Sequence, residues 1–193
     1  AYNPLLEVRR GEWEVRDVQN IADILVDPEG SLDKRNHWEK TSHSLLVGAI
    51  LHVLYAEPDK TLAGVARFLS DPKRPVDSTL RAMMTTAHLG EAGPHPVVAS
   101  AARELRNKSE NERSGVLSTA MSFLGLYRDP VVARVTSRCD WRIKDLVSGA
   151  TGLLGGTILA VLGVDLALVF GLFAFLLNFI PSVGSLISIL LPL

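Results

Sequence analysis

The sequence predicts an all-α protein: a soluble helical bundle with short extended stumps at its ends, followed by two transmembrane helical segments. Three observations carry this. Through most of the first 146 residues apolar side chains recur at spacings of three and four, the repeat that lines one face of a helix. The breaks between these runs are short and rich in Pro, Gly and Asp. All 20 Lys and Arg lie at or before Lys144, and after Asp145 only Asp165 is ionisable, so water-facing chemistry gives way to lipid-facing chemistry near residue 146.

Tyr2-Asn3-Pro4 has turn chemistry before the short apolar run Leu5, Leu6 and Val8, and Gly11 interrupts before Trp13, which predicts a strand or extended opening over 1–16. From Val18 the period lengthens through Ile21, Ala22, Leu25 and Val26, giving a helix that Pro28 and Gly30 end. The longest helix is expected from about Leu32 to Tyr55. Its stripe is Trp38, Leu45, Leu46, Ala49, Ile50, Val53 and Leu54, which makes it the spine of the bundle. Thr61 to Leu69, Ser78 to His88 and Pro96 to Asn107 read as shorter helices; Pro96 suits a first turn, where a missing amide hydrogen costs nothing. Ser109 and Glu112 fit a capping box that opens a helix to about Tyr127, with Val116, Ala120, Phe123, Leu124 and Tyr127 inward. Asp129-Pro130 stops it, and Val131 to Val135 predicts a last short helix before an extended exit over 138–146.

Ser148 to Val164 and Leu166 to Leu193 carry no charge, and a spanning helix needs about 20 apolar residues. Ser148, Gly152, Gly156 and Ala160 repeat every fourth place, a face on which another membrane helix can pack closely. Pro181 and Gly184 break the second span near its only strongly polar side chain, Asn178. Arg128, Arg134, Arg138, Arg142 and Lys144 precede the first span, which places the soluble part on the cytoplasmic side of the membrane.

Neither part is a polycation, since the first 146 residues balance 20 basic against 20 acidic groups, so nucleic acid could be held only by a local patch. Arg103, Arg106, Lys108 and Arg113 form the best basic cluster, although Glu104, Glu110 and Glu112 interleave with it. Lys73 and Arg74, with Arg67 and Arg81, form a second. His37, His43 and His52 share one helix at separations that put them on different faces, which argues against a metal site. Cys139 is alone, so no internal disulfide forms, and no base-orienting pattern accompanies it as a nucleophile. Residues 1–16 are too charged for a signal peptide.

The stretches Tyr2-Asn3-Pro4-Leu5, Asp17 through Ala22, the run His37-Trp38-Glu39 through Gly48 to Tyr55, Glu112 through Ala120, Arg128 through Ala133 and Asp140-Trp141-Arg142 resemble the helical domain of type IV secretion coupling proteins of the conjugal-transfer (TraG-like) family. From Ser148 on, Ser148 through Leu154, Leu162-Gly163-Val164-Asp165 and Phe175 through Gly184 are similar instead to the autoinducer exporter (PerM-like) permeases, so the chain reads as a chimera.

The first resemblance implies a partner-recognition module on the cytoplasmic face of the bacterial inner membrane, engaging DNA or a relaxase-type DNA-processing protein, with assembly into oligomers possible. It also implies that 1–16 and 138–146 are stumps of a nucleotide-binding domain, lying close together around a bundle at 17–137. The ATPase chemistry of that family needs a glycine-rich phosphate loop followed by Lys and Ser or Thr, and these 193 residues contain none, so neither a cofactor nor an enzyme is expected. The second resemblance implies an alternative, a permease fragment at 147–193 with the soluble half as passenger, in contact with lipid and other membrane helices.

Overall fold

The computed structural model describes residues 1–28, 30 and 36–143. The chain divides after Cys139 into two units, Ala1–Cys139 and Asp140–Leu193. Among the described residues the first unit holds seven α-helices and no strand: α1 (Glu14–Val26), α2 (His37–Ala56), α3 (Leu62–Leu69), α4 (Val76–Thr85), α5 (Pro96–Arg106), α6 (Glu110–Phe123) and α7 (Pro130–Val135). The all-helical class expected from the periodicity is the class found.

The opening differs from the strand or extended entry that the sequence predicts. Pro4–Glu7 is a single 3-10 turn, because the Asn3 side chain accepts from the Leu5 amide and proline supplies the first helical residue. Helix α1 then starts at Glu14, ahead of the apolar run, since Glu14, Val18, Ala22 and Val26 form one buried face at four-residue spacing. The start of α2 is also later than Leu32. Asn36 accepts from the Glu39 amide and the Glu39 carboxylate accepts from the Asn36 amide, a reciprocal cap that fixes the first helical residue at His37. Thr61 caps α3 through the Gly64 amide, and Asp129 caps α7 through the amides of Val131 and Val132. At α6 only half of the expected box forms. Ser109 accepts from the Glu112 amide, but the Glu112 carboxylate turns to Lys108 and His37. The helix stops at Phe123 and the chain tightens into a 3-10 turn, Gly125–Arg128.

Helix α2 is the spine, packed against α1, α3, α4, α5 and α6. Its residues Leu45 through Leu54 are buried on every side, which explains why its sequence lacks a polar face in that stretch. Leu45, Leu46, Ile50 and Leu51 are at most 1% exposed, and each such side chain removed from water contributes about 1.5–3 kcal/mol. Trp38, placed on the stripe from sequence, is instead half-exposed at the bundle's edge, against Gly115 of α6.

The two ends of the first unit meet. The Tyr2 amide donates to the Val135 carbonyl at 2.9 Å, and Cys139 Sγ accepts from the Asn3 amide and donates to the Asn3 carbonyl, both at 3.3 Å. Among the described residues no helix is long and apolar enough to cross a membrane. The spans expected at 148–164 and 166–193 lie outside the described residues, as do Ser148, Gly152, Gly156 and Ala160 and the break at Asn178, Pro181 and Gly184.

Candidate nucleic-acid and partner interface

The basic cluster separates into two pairs of unlike character. Arg103 and Arg106 lie three residues apart in the last turn of α5, both exposed, and neither side chain has an acidic partner among the described residues. Their position at a helix C-terminus is favourable for cations, because the unpaired carbonyls there carry partial negative charge. Lys108 and Arg113 are committed elsewhere: Lys108 Nζ donates to Glu112 at 2.8 Å, and Arg113 donates to Asp77 of α4 at 2.8 Å. The Glu112 carboxyl is held below the usual range by Lys108 first and His37 second. Of the four residues grouped from sequence, two are thus paired with acids, Lys108 locally and Arg113 across to α4, and two present free guanidinium groups to solvent.

The second cluster divides in the same way. Lys73 is exposed without an ion pair, whereas Arg74 turns inward, with its guanidinium 5.4 Å from the centre of the Phe68 ring and 3.9–4.0 Å from Asp71 and Glu57. Arg67 pairs with Asp59, and Arg81 is exposed and unpaired. Arg67, Arg74 and Phe68 line a cleft of about 840 Å³ together with Tyr127 and Arg128, but Glu57, Asp59 and Asp71 share its wall. Three acids against three arginines leave that cleft without a net preference for anions.

The histidines of α2 have separate surroundings. His37 Nε2 lies 3.0 Å from Glu112, His43 Nε2 lies 3.0 Å from Asp23, and His52 is buried in the core.

Sequence reasoning missed a buried polar chain that begins at His52. His52 Nδ1 is 2.8 Å from Nε2 of His88, His88 Nδ1 accepts from the His95 amide, and His95 Nε2 is 3.2 Å from Glu14 Oε1. Glu14 also accepts from the Tyr55 hydroxyl and the Gly11 amide. Burial alone would raise the Glu14 carboxyl, but these hydrogen bonds outweigh it and hold the group below its ordinary value. The missed signal was the four-residue repeat Glu14, Val18, Ala22, Val26, in which an acid heads an apolar face and so requires a partner indoors.

The fold is therefore a helical bundle that shows solvent a few unpaired cations. The chain belongs to the family described as Type IV secretory system Conjugative DNA transfer, whose model matches residues 1–179. A conjugal transfer protein TraG of Escherichia coli is 49% identical over 152 residues, covering 76% of this chain and 24% of that protein. A second Escherichia coli TraG is 49% identical over 153 residues with the same shares. The chain spans about a quarter of the length of these relatives. The AI-2 transport protein TqsA of Escherichia coli (strain K12) is 43% identical over 51 residues, 26% of this chain and 15% of that protein. One kind of relative matching three quarters of the chain and another matching a quarter agrees with the two-part resemblance read from the sequence, although the family match itself runs on to residue 179. No solved structure matches the chain.

Proposed function

We propose that this chain is the partner-recognition part of a conjugative coupling protein, engaging DNA or the relaxase complex at the cytoplasmic face of the bacterial inner membrane, as a module separate from any ATPase motor. The observation that carries the reading is the pair Arg103 and Arg106, exposed and unpaired on a helix of a conjugative-transfer family member. Phosphate contacts from such side chains would hold a nucleic-acid backbone without reading its sequence. The likeness to TraG proteins supports the conjugative role. The uncharged runs after Asp145, with arginines and Lys144 ahead of them, support a membrane tether at 147–193. On this reading 1–16 and 138–146 flank the bundle at 17–137 as stumps of a larger domain.

The likeness to TqsA over 51 residues favours a second reading, a permease fragment with the helical unit as passenger. Anisotropy titrations of the full chain in detergent, with single-stranded and duplex DNA over a salt series, separate the two. The recognition reading expects affinity to fall steeply with salt, by a log–log slope of about 0.7–0.9 for each phosphate contacted. A flat salt response rules out DNA as the partner. No binding at low salt leaves the relaxase complex, probed by the same titration with a labelled relaxase, or the passenger reading.

A further inference from the structure

The direction of every proton in the His52–His88–His95 chain is fixed by backbone amides. An amide can only donate, so the His95 amide at 3.1 Å makes Nδ1 of His88 an acceptor and leaves the His88 proton on Nε2. That Nε2–H then donates to Nδ1 of His52, whose own proton must sit on Nε2. In the same way the Val97 amide donates to Nδ1 of His95, so His95 Nε2–H faces Glu14. Each of the three rings thus accepts at Nδ1 and donates from Nε2, and all three are at most 8% exposed. They join elements far apart in sequence: His52 from the middle of α2, His88 from the loop between α4 and α5, His95 from the cap of α5, and Glu14 from the first turn of α1.

We propose that this relay is an acid-released latch: a proton added to Nδ1 of His52 faces the Nε2–H of His88 donor to donor, expels the His88 ring, and frees the 86–95 loop from α2 and α1. Charged and aromatic groups face the relay from each element packed on it. His52 stacks on Phe68 of α3 at 4.5 Å, with Arg74 contributing positive charge and Glu57 Oε1 3.8 Å from its Nε2. His88 meets the Tyr55 ring edge-on, and Tyr55 carries the Arg10 guanidinium 4.3 Å above its ring. His95 faces Glu14 and Tyr55. Burial first, then His88 and Arg74, lower His52 from 6.5 to about 4, and burial and His95 lower His88. A histidine depressed in the folded state is neutral there and takes its proton more readily once released. The latch is therefore whole above about pH 6.5 and weakens as pH falls towards about 4, by on the order of a hundred-fold in the opening equilibrium. Gly90 and Gly93, both at positive φ, give the loop the backbone freedom to swing out.

Hydrogen–deuterium exchange on the full chain in detergent, stepped from neutral to acid and corrected for the intrinsic pH dependence, tests this. Expected is selective loss of protection in 86–97 and 50–57 across that window, while α6 keeps its own. In His52→Gln the amide oxygen still accepts from His88 while the most strongly depressed of the histidines is gone, so the acid response should shrink at least ten-fold. An unchanged response in that variant, simultaneous loss throughout α6, or no loss in the parent chain overturns the latch. Should His52→Gln fail to fold, long-range proton–nitrogen spectra of the parent imidazoles decide. Nε2–H on all three at neutral pH is required, and an Nδ1–H on His88 or His52 overturns the proposal.

Discussion

Gly48 of α2 and Ala101 of α5 meet with no room between them: a Cβ placed on Gly48 would lie 2.7 Å from the Cβ of Ala101 and 3.2 Å from Met83 Cε. The alanine methyl is carried directly on its backbone and cannot swing aside, so the two helices would have to separate. Gly48→Ala is expected to destabilise the unit by about 1–3 kcal/mol, despite a gain of about 1 kcal/mol in helix propensity. Adding Ala101→Gly restores the space, and denaturant melts of the double variant should recover most of the loss at the overpacked contact. Equal, additive losses would mean that the contact is not the cause.

A larger effect is expected at Gly64. Its Cβ would overlap the Asp59 carbonyl oxygen, a backbone atom, at the turn where Thr61 caps α3. Gly64→Ala should lower stability by more than about 2 kcal/mol, with the loss concentrated in α3 exchange protection.

Glu14→Gln keeps the shape of the buried carboxyl and removes its charge. Glu14 accepts from Tyr55, Gly11 and His95 and is depressed in the folded state, so it adds stability that is present above its unfolded value of 4.5 and is lost as pH falls through the lower folded value. The variant should be weaker by about 1–3 kcal/mol at neutral pH. The gap to the parent should close in acid, and a gap independent of pH would exclude the charge as its source.

At the closure of the first unit, Asn3→Ala should cost more than Cys139→Ala. Asn3 caps the Pro4–Glu7 turn and donates to the Lys60 carbonyl at 2.9 Å, whereas a thiol makes only weak hydrogen bonds. The expected costs are about 1–2 kcal/mol and under about 1 kcal/mol, read from thermal melts.

On the surface, Arg103→Ala with Arg106→Ala should reduce the salt slope of DNA binding by about 1.4–1.8 and leave stability unchanged. Arg113→Ala, which removes a pair whose Asp77 partner is 64% exposed, should change stability by under about 1 kcal/mol and leave DNA affinity as it was. The reverse ranking would move the interface from α5 to α6.

Local signals in the sequence carried most of the helices. Pro96 and Thr61 each mark a helix start through chemistry confined to three or four neighbouring residues, and the structure uses both in that way, whereas Asp129, read only as the stop of the preceding helix, also caps α7. The α2 start was misjudged although Asn36 and Glu39 stand at capping-box spacing, because the helix was carried back through the polar run Asp33-Lys34-Arg35 to Leu32. The opening was misread because Glu14 belongs to the buried face of α1 while looking like a solvent residue. The candidate site was legible only as composition. Arg113 finds its partner 36 residues away and Glu14 finds His95 81 residues away, and no local pattern separates such spent charges from the free ones at Arg103 and Arg106.

The bond between Tyr2 and Val135 has a topological consequence. A bundle that leaves where it arrived fits into a host polypeptide like a bead on a looped thread, since it asks the host for two neighbouring attachment points and no rearrangement of its scaffold. The same closure allows new termini to be cut in an exposed turn, with the old ones joined by a brief bridge across the Asn3–Cys139 contact.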